Sequence, residues 1–233
     1  MDKTKLLQSK IIVCYLFTKF DTESTLKDFI TYYQNYDSGF DHELLICFKL
    51  LKSEEIKNLK ILLRGIKYTE FVDDSNSNDY DLGSYKRIAE KYQEFDILFL
   101  NSHSYPICDK WLKKLVIHKK DNNIIGTSAS LESLLDSIKL KKFFHFFSYY
   151  LKKMKFKKYF HNFPNPHLRT SGFIIKGKNF YEFIKNKTIN NKFDAWKIES
   201  GKNSLTYHFK KKGYNLFVVN SDGKKFFEAE WHL

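Results

Sequence analysis

Glu199 stands alone as an acid in the stretch Trp196–Thr206, between apolar neighbours and a turn at Gly201. Trp196 and Ile198 beside it would strip water from the carboxylate and raise its pKa toward the range useful for a general base. Asn203 and Ser204 add polar groups nearby, and an amphipathic helix is expected to begin near Lys202 and stop at Gly213, before an apolar strand. The plainer alternative is that Glu199 only favours the N-terminus of that helix.

Three further clusters carry groups able to hold a ligand. In FVDDSNSNDYDLGSY, Phe71–Tyr85, a strand runs into acids and a polar loop, and Asp81, Gly83 and Tyr85 open a helix. Backbone amides at such a start attract anions, and Asp81 can accept hydrogen bonds from a ribose or sugar hydroxyl. Alternatively Asp81 only caps the helix, and Asp73, Asp74 and Asp79 read as solvated acids. In FDILFLNSHSYPICDKW, Phe95–Trp111, a buried strand gives way at Leu100 to Asn101, Ser102, His103 and Ser104. An Asn oxygen and a His nitrogen can ligate Mn²⁺, whereas Mg²⁺ prefers carboxylates, so His103 is a candidate metal ligand as well as a plain loop residue. In PNPHLRTSGFIIK, Pro164–Lys176, His167 and Arg169 precede a strand. Arg169 offers a fork of donors to a phosphate or a sugar carboxylate, or is a common surface arginine. His232, near the chain end, is a further metal candidate or part of a frayed terminus.

These clusters need a frame. Apolar strands are expected at Ile11–Phe17, His42–Leu50, Tyr68–Val72, Phe95–Leu100 and from Asn123 to Gly126, with another over Arg169–Lys176. Between them lie helices at Ser24–Tyr36, from Ser53 to about Leu63, from about Leu82 to Tyr92 and over Pro106–Lys120. This alternation predicts an α/β fold with a largely parallel sheet covered on both faces. Ligands on such sheets bind beyond the carboxyl ends of the strands, which puts the chemistry in the loops after Phe17, Val72 and Leu100.

The segment 131–163 breaks the rhythm. No acid occurs between Asp136 and Glu182. Leu140, Phe143, Phe144, Phe147, Tyr150, Leu151 and Met154 share one helical face, with lysines around it, so a basic aromatic helical insertion is expected in a single domain spanning 1–233. That helix either touches an anionic membrane or packs its aromatic face on the sheet.

The formal net charge of +13, from 40 basic and 27 acidic residues, favours polyanionic partners. Hydrophobic content of 42% with 18% aromatic residues excludes a disordered chain. Cys14, Cys47 and Cys108 are widely spaced and read as free thiols in a reducing compartment, and no Cys/His cluster suggests zinc. With no signal peptide or spanning segment apparent, a cytoplasmic protein, peripheral at a membrane, is expected. A nucleic-acid-binding module is disfavoured because the lysines are scattered and no nucleic-acid-binding motif is apparent.

Taken in order, DLGSY (Asp81–Tyr85), FLNSHS…WL (Phe99–Leu112), NIIGTSAS (Asn123–Ser130), PNPHLRTSGFII (Pro164–Ile175) and ESGKNSLT (Glu199–Thr206) resemble the GT-A glycosyltransferases of the family 2 type, in a subgroup tied to polysaccharide and rhamnan-type glycans. The resemblance covers nearly the whole chain. It implies a Rossmann-like GT-A fold, a nucleotide-sugar donor lying across the strand ends, and a glycan or lipid-linked acceptor beyond it. It further implies inversion at the anomeric carbon with Glu199 as base, and a divalent cation, Mn²⁺ or Mg²⁺, on the leaving diphosphate. Donor contacts fall to Asp81, Gly83, Tyr85, Asn101, Ser102 and His103, and acceptor or phosphate contacts to Arg169, His167 and Asn203. The chain departs from the pattern where Asn101-Ser102-His103 replaces the usual pair of acids, which leaves a glycan-binding protein without turnover as the alternative.

Overall fold

The computed structural model describes residues 10–75, 77–139 and 146–232. An eight-stranded sheet forms its centre. The run IIVCYLFT makes β1 (Ile11–Thr18), buried on both faces as a continuous apolar strand should be. Alternate residues feed two cores. Ile12, Cys14 and Leu16 face a cluster with Tyr85, Phe99 and Phe180, while Ile11, Val13, Tyr15 and Phe17 face one with Phe29 and Trp111.

Parallel to β1 run β2 (Glu43–Lys49) on one side and β4 (Asp96–Leu100) on the other, with β3 (Thr69–Asp73) outside β2. The helices α1 (Glu23–Asn35), α2 (Ser53–Leu62) and α3 (Tyr80–Lys91) connect these strands. Leu26, Phe29 and Ile30 form the buried face of α1, as their spacing requires. Ser53 is the first helical residue of α2 rather than its cap: the Lys52 N–H donates to the Glu55 carboxylate at 2.6 Å.

Beyond β4 the direction changes. The strand β8 (Gly172–Lys176) lies antiparallel between β4 and β5 (Asn123–Gly126), with Gly172 opposite Leu100. Then β9 (Asn215–Val219) runs parallel to β5, and β10 (Lys225–Phe227) closes the edge antiparallel. The order is β10-β9-β5-β8-β4-β1-β2-β3. The fold is therefore α/β with a mostly parallel sheet. Because β8 runs backwards, its starting end meets the finishing ends of β1, β2, β3, β4 and β5 at one rim.

Several boundaries differ from the sequence reading. The strand expected from Arg169 begins only at Gly172, because His167–Leu168 (β7) pairs instead with Ala129–Ser130 (β6) in a separate two-stranded ribbon. The helix expected over Pro106–Lys120 shrinks to α4 (Trp111–Val116), since Lys110 takes a left-handed conformation with φ 56° and no helix can run through it. Glu199 stands beside the turn at Gly201, as expected, but at the end of one helix and not at the N-terminus of the next. It lies in the last turn of α7 (Lys192–Ser200), which follows α6 (Gly177–Ile184), and the next helix, α8 (Leu205–Lys211), starts after Ser204, whose hydroxyl accepts from the Tyr207 N–H at 3.5 Å. The expected stop stands: Gly213 has φ 77° and releases the chain into β9.

Within 131–163, the helix α5 spans Phe146–Tyr159. Leu140, Phe143 and Phe144, expected on its apolar face, lie outside the described residues. Phe147, Tyr150, Leu151 and Met154 point to solvent, so the packing of an aromatic face on the sheet is corrected: only Phe156 of α5 is buried, joining Phe160 and Leu135 in a small satellite core. Cys14 and Cys47 are buried free thiols and Cys108 is half-exposed. Among the described residues, no helix is long and apolar enough to cross a membrane.

Candidate active site

The rim where the parallel strands end is built on a buried ion cluster. Lys49 closes β2 with only 1% of its surface exposed, and its ammonium meets the Asp79 carboxylate, the Tyr80 carbonyl at 2.6 Å and, at 3.9 Å, Asp73. Arg87, from α3, donates to Asp73 at 2.6 Å and to both oxygens of Asp79 at 2.7 and 3.1 Å, and Ser84 donates to Asp73 at 2.5 Å. Asp73 and Asp79 are thus not the solvated acids expected from the sequence, although Asp74 is exposed. Buried carboxylates persist here because two cations and a hydroxyl satisfy them. Burial pushes the Asp79 carboxyl up, but hydrogen bonds from Arg87 and Lys49 outweigh it, and the group sits below its ordinary value. The cluster fixes the loop that delivers Asp81.

Asp81 stands in the first turn of α3, and Asp79 occupies the cap position instead. Its carboxylate accepts no hydrogen bond from the described residues. Burial raises its pKa, Lys49 opposes this, and Asp21 and Glu199 raise it further. A half-buried acid without a donor, at the end of a sheet, is poised to accept from a ligand hydroxyl. Gly83 and Tyr85 do not share that position. A Cβ on Gly83 would fall 1.8 Å from the Asp79 Cγ, so this glycine makes room for the ion cluster. Tyr85 is 0% exposed and packs on Phe99 at 4.5 Å, so its ring belongs to the core and not to the exposed rim.

The loop after β4 is tied to the start of β8. Asn101 N–H donates to the Ser171 carbonyl at 3.0 Å, and the Ser104 hydroxyl donates to the same carbonyl at 3.0 Å. The Asn101 side-chain oxygen accepts from the His103 N–H at 3.2 Å and the Ser104 hydroxyl at 2.8 Å, which turns it toward its own loop. Ser102 is buried, with its carbonyl accepting from the Tyr15 hydroxyl at 2.9 Å. His103 is exposed beyond them.

One residue along, Thr170 meets Glu199. Oε1 of Glu199 accepts from both the N–H and the hydroxyl of Thr170, each at 3.0 Å, while Oε2 has no partner among the described residues. Ile198 packs into the main core and Trp196 against the satellite core. His167 is buried, and its Nδ1 donates to the Asn165 carbonyl at 2.7 Å, which leaves Nε2 as the unprotonated nitrogen of the neutral ring. Burial holds this imidazole below its ordinary value, although the Asn165 carbonyl and Glu199 pull the other way. Arg169 is exposed and pairs loosely with Glu132 at 3.5 Å.

Glu199 thus lies within electrostatic reach of both Asp81 and His167, while His103 acts on Asp81 and Arg169 on His167. Asn203 is not among them. It lines a basic cleft of about 450 Å³ with Lys158, Lys187, Lys197 and Lys202. Sequence reasoning missed Lys49, Arg87, Asp21 and Thr170. Lys49 had a signal, as a cation ending the apolar run LLICFK; Asp21 is tied to the end of β1, its carboxylate accepting from the N–H and hydroxyl of Thr18 at 2.7 and 2.8 Å.

A divalent cation does not fit the side chains at the end of β4. The Asn101 oxygen is committed to two donors, and among the described residues no group of three His, Cys, Asp or Glu is arranged to hold a metal ion, His103 and His232 included.

No protein-family model matches the sequence, and no curated protein matches it. Solved structures do. A 4-diphosphocytidyl-2C-methyl-D-erythritol synthase from Anaerococcus prevotii is similar at TM-score 0.50 and 11% identity, over 94% of this chain and 93% of that one. A nucleotidyl transferase from Methanothermobacter thermautotroptrophicus is similar at TM-score 0.51 and 8% identity, over 91% and 87%. A galactosyltransferase in complex with donor and acceptor sugar analogues aligns at TM-score 0.48 and 11% identity, over 90% and 73%. The chain shares the α/β fold of the synthase and of the nucleotidyl transferase. At such identities the likeness extends to the fold alone.

Proposed function

We propose that this chain transfers a sugar from a nucleotide-sugar donor to the hydroxyl of a glycan or lipid-linked acceptor, in the manner of the family 2 type and with inversion, in surface polysaccharide synthesis. The observation that carries the reading is the Glu199 carboxylate, fixed at the strand-end rim by Thr170 with one oxygen left free. That free oxygen would take the acceptor proton as the hydroxyl attacks the anomeric carbon from the face opposite the diphosphate. Asp81 would accept from a ribose or sugar hydroxyl of the donor. The charge growing on the leaving diphosphate would fall to Arg169 and His103, since Asn101-Ser102-His103 stands where a pair of acids would hold a cation. His167, buried and within electrostatic reach of Glu199, would act on the acceptor side rather than touch the donor. The missing carboxylate pair favours a second reading, a glycan-binding protein of the same architecture without turnover.

The test is a panel of UDP-, GDP-, CMP- and dTDP-sugars screened by thermal shift, with and without Mn²⁺, followed by assay of the stabilising donor for transfer. A donor that binds only the folded chain raises the melting temperature by mass action. Transfer that vanishes in Glu199→Gln, with donor stabilisation kept, supports the enzyme. Stabilisation by glycan alone, unchanged in Glu199→Gln, supports the binder.

A further inference from the structure

The outer face of α5 is unlike the rest of the surface. Phe147, Tyr150, Leu151 and Met154 recur at i, i+3, i+4 and i+7, which stacks them in one stripe with Phe146 beside it. They are 73, 53, 51 and 55% exposed, and Phe146 is 58% exposed. The same helix carries Lys152, Lys153, Lys155, Lys157 and Lys158, all exposed, and no acid.

This exposure belongs to a helix that is seated, not detached. Its inner side inserts Phe156 against Phe193 of α7 with ring centroids 5.1 Å apart, and Phe160, just beyond its end, lies 5.7 Å from the same ring. The Lys202 N–H donates to the Tyr159 carbonyl at 2.8 Å, and the Lys202 ammonium donates to the Lys157 carbonyl at 2.8 Å. The anchoring face is therefore set, and the apolar stripe is what remains on the outside. Grouped apolar side chains of this kind mark an interaction surface.

Charge decides the occupant. Two copies of α5 meeting stripe to stripe would bring their lysines together with no acid on either helix to offset them. A nucleic acid would engage the lysines and leave five large apolar side chains in water. An anionic bilayer satisfies both sets: aromatic and aliphatic side chains enter the boundary between headgroups and acyl chains, and lysine stems extend along it with their ammonium groups at the phosphates. We propose that the outer face of α5 is a docking surface for an anionic phospholipid bilayer. The inference rests on the helix and not on the sugar-transfer reading, so failure of the donor panel would leave it standing.

The test is flotation of the full chain with vesicles of phosphatidylcholine alone or mixed with phosphatidylglycerol. Binding to the mixed vesicles at low salt should exceed binding to the neutral ones by about tenfold or more and weaken as salt is added. The variants Phe147→Ser/Leu151→Ser and Lys153→Ser/Lys157→Ser should each reduce co-flotation several-fold while the melting temperature stays that of the parent chain. A Tyr150→Trp variant should gain a blue-shifted emission component on anionic vesicles only. Absence of co-flotation at low salt, or binding indifferent to both double variants, overturns the proposal. So does a vesicle-independent dimer that dissociates in Phe147→Ser/Leu151→Ser, which would make a second copy the occupant.

Discussion

Thr170 gives both of its donors to a single oxygen of Glu199, each at 3.0 Å, and so divides that carboxylate into a held half and a free half. The backbone donor comes from the residue just before Ser171, whose carbonyl anchors Asn101 and Ser104. One short segment therefore sets the distance between the acid on α7 and the loop after β4.

Glu199→Gln tests the free half. The amide keeps a carbonyl oxygen for Thr170, so the local fold should persist and stability should change by no more than about 0.5 kcal/mol. Loss of a general base lowers turnover by about 10²–10⁴-fold. Transfer assays paired with donor-induced thermal shifts check this, and a variant that turns over normally removes Glu199 from the chemistry.

Asp81 makes the opposite trade between stability and binding. Burial raises its pKa first, Lys49 opposes that, and Asp21 and Glu199 add to the rise. Between the ordinary carboxylate pKa of about 3.9 and the higher folded value, the folded chain binds more protons than the unfolded one, so Asp81 costs stability as pH rises through that window. Asp81→Asn removes the cost. Its melting temperature should exceed that of the parent at neutral pH and converge with it below the window, while the shift produced by a nucleotide-sugar shrinks. A lower melting temperature with the donor shift intact would contradict the assigned role.

Much of this arrangement was legible from residue patterns. The unbroken apolar runs Ile11–Phe17 and Phe95–Leu100 announce strands buried on both faces, and Gly213 marks the end of α8. Residue type and local context alone mark Glu199, Asp81 and His103 as able to do chemistry, and the fold brings Asp81 within electrostatic reach of the other two. Strand direction was not legible, because an apolar run such as Gly172–Lys176 reads alike in either sense and only its pairing with Leu100 reveals the reversal. The ends of α7 were hidden too: FDAWKIES shows little amphipathic rhythm, so the helix that carries Glu199 up to the turn at Gly201 is not announced. Asp73 and Asp79 read as solvated because their partners Lys49 and Arg87 come from different elements.

The ion cluster predicts a specific acid response. Asp79 is pushed up by burial but pulled further down by Arg87 and Lys49. A carboxyl depressed in the folded state adds stability that is complete above about pH 3.9 and is lost as pH falls through the folded value. Lys49→Met leaves Asp73 and Asp79 with Arg87 as their one cation and the Ser84 hydroxyl on Asp73, and should cost about 3–5 kcal/mol at neutral pH, because it strands buried charge. It should also flatten the fall in melting temperature below that point. Equilibrium unfolding in urea at neutral pH and thermal melts across the acid range measure the two effects separately.

Gly83→Ala sets helix propensity against packing. Gly83 lies inside α3, where alanine ordinarily gains about 1 kcal/mol over glycine. Here the new Cβ would sit 1.8 Å from the Asp79 Cγ and 2.0 Å from each of its oxygens. Those oxygens cannot swing away cheaply, since Lys49 and Arg87 hold both of them. Overpacking of this kind costs about 1–3 kcal/mol, and displacing a paired buried carboxylate adds to it, so the net sign should be destabilising. A second substitution discriminates the cause. In an Asp79→Ala background the obstructing carboxylate is gone, and Gly83→Ala should then stabilise relative to that background. Unfolding free energies of the four chains in this cycle read the coupling directly, and additive effects would show that Gly83 and Asp79 do not constrain each other.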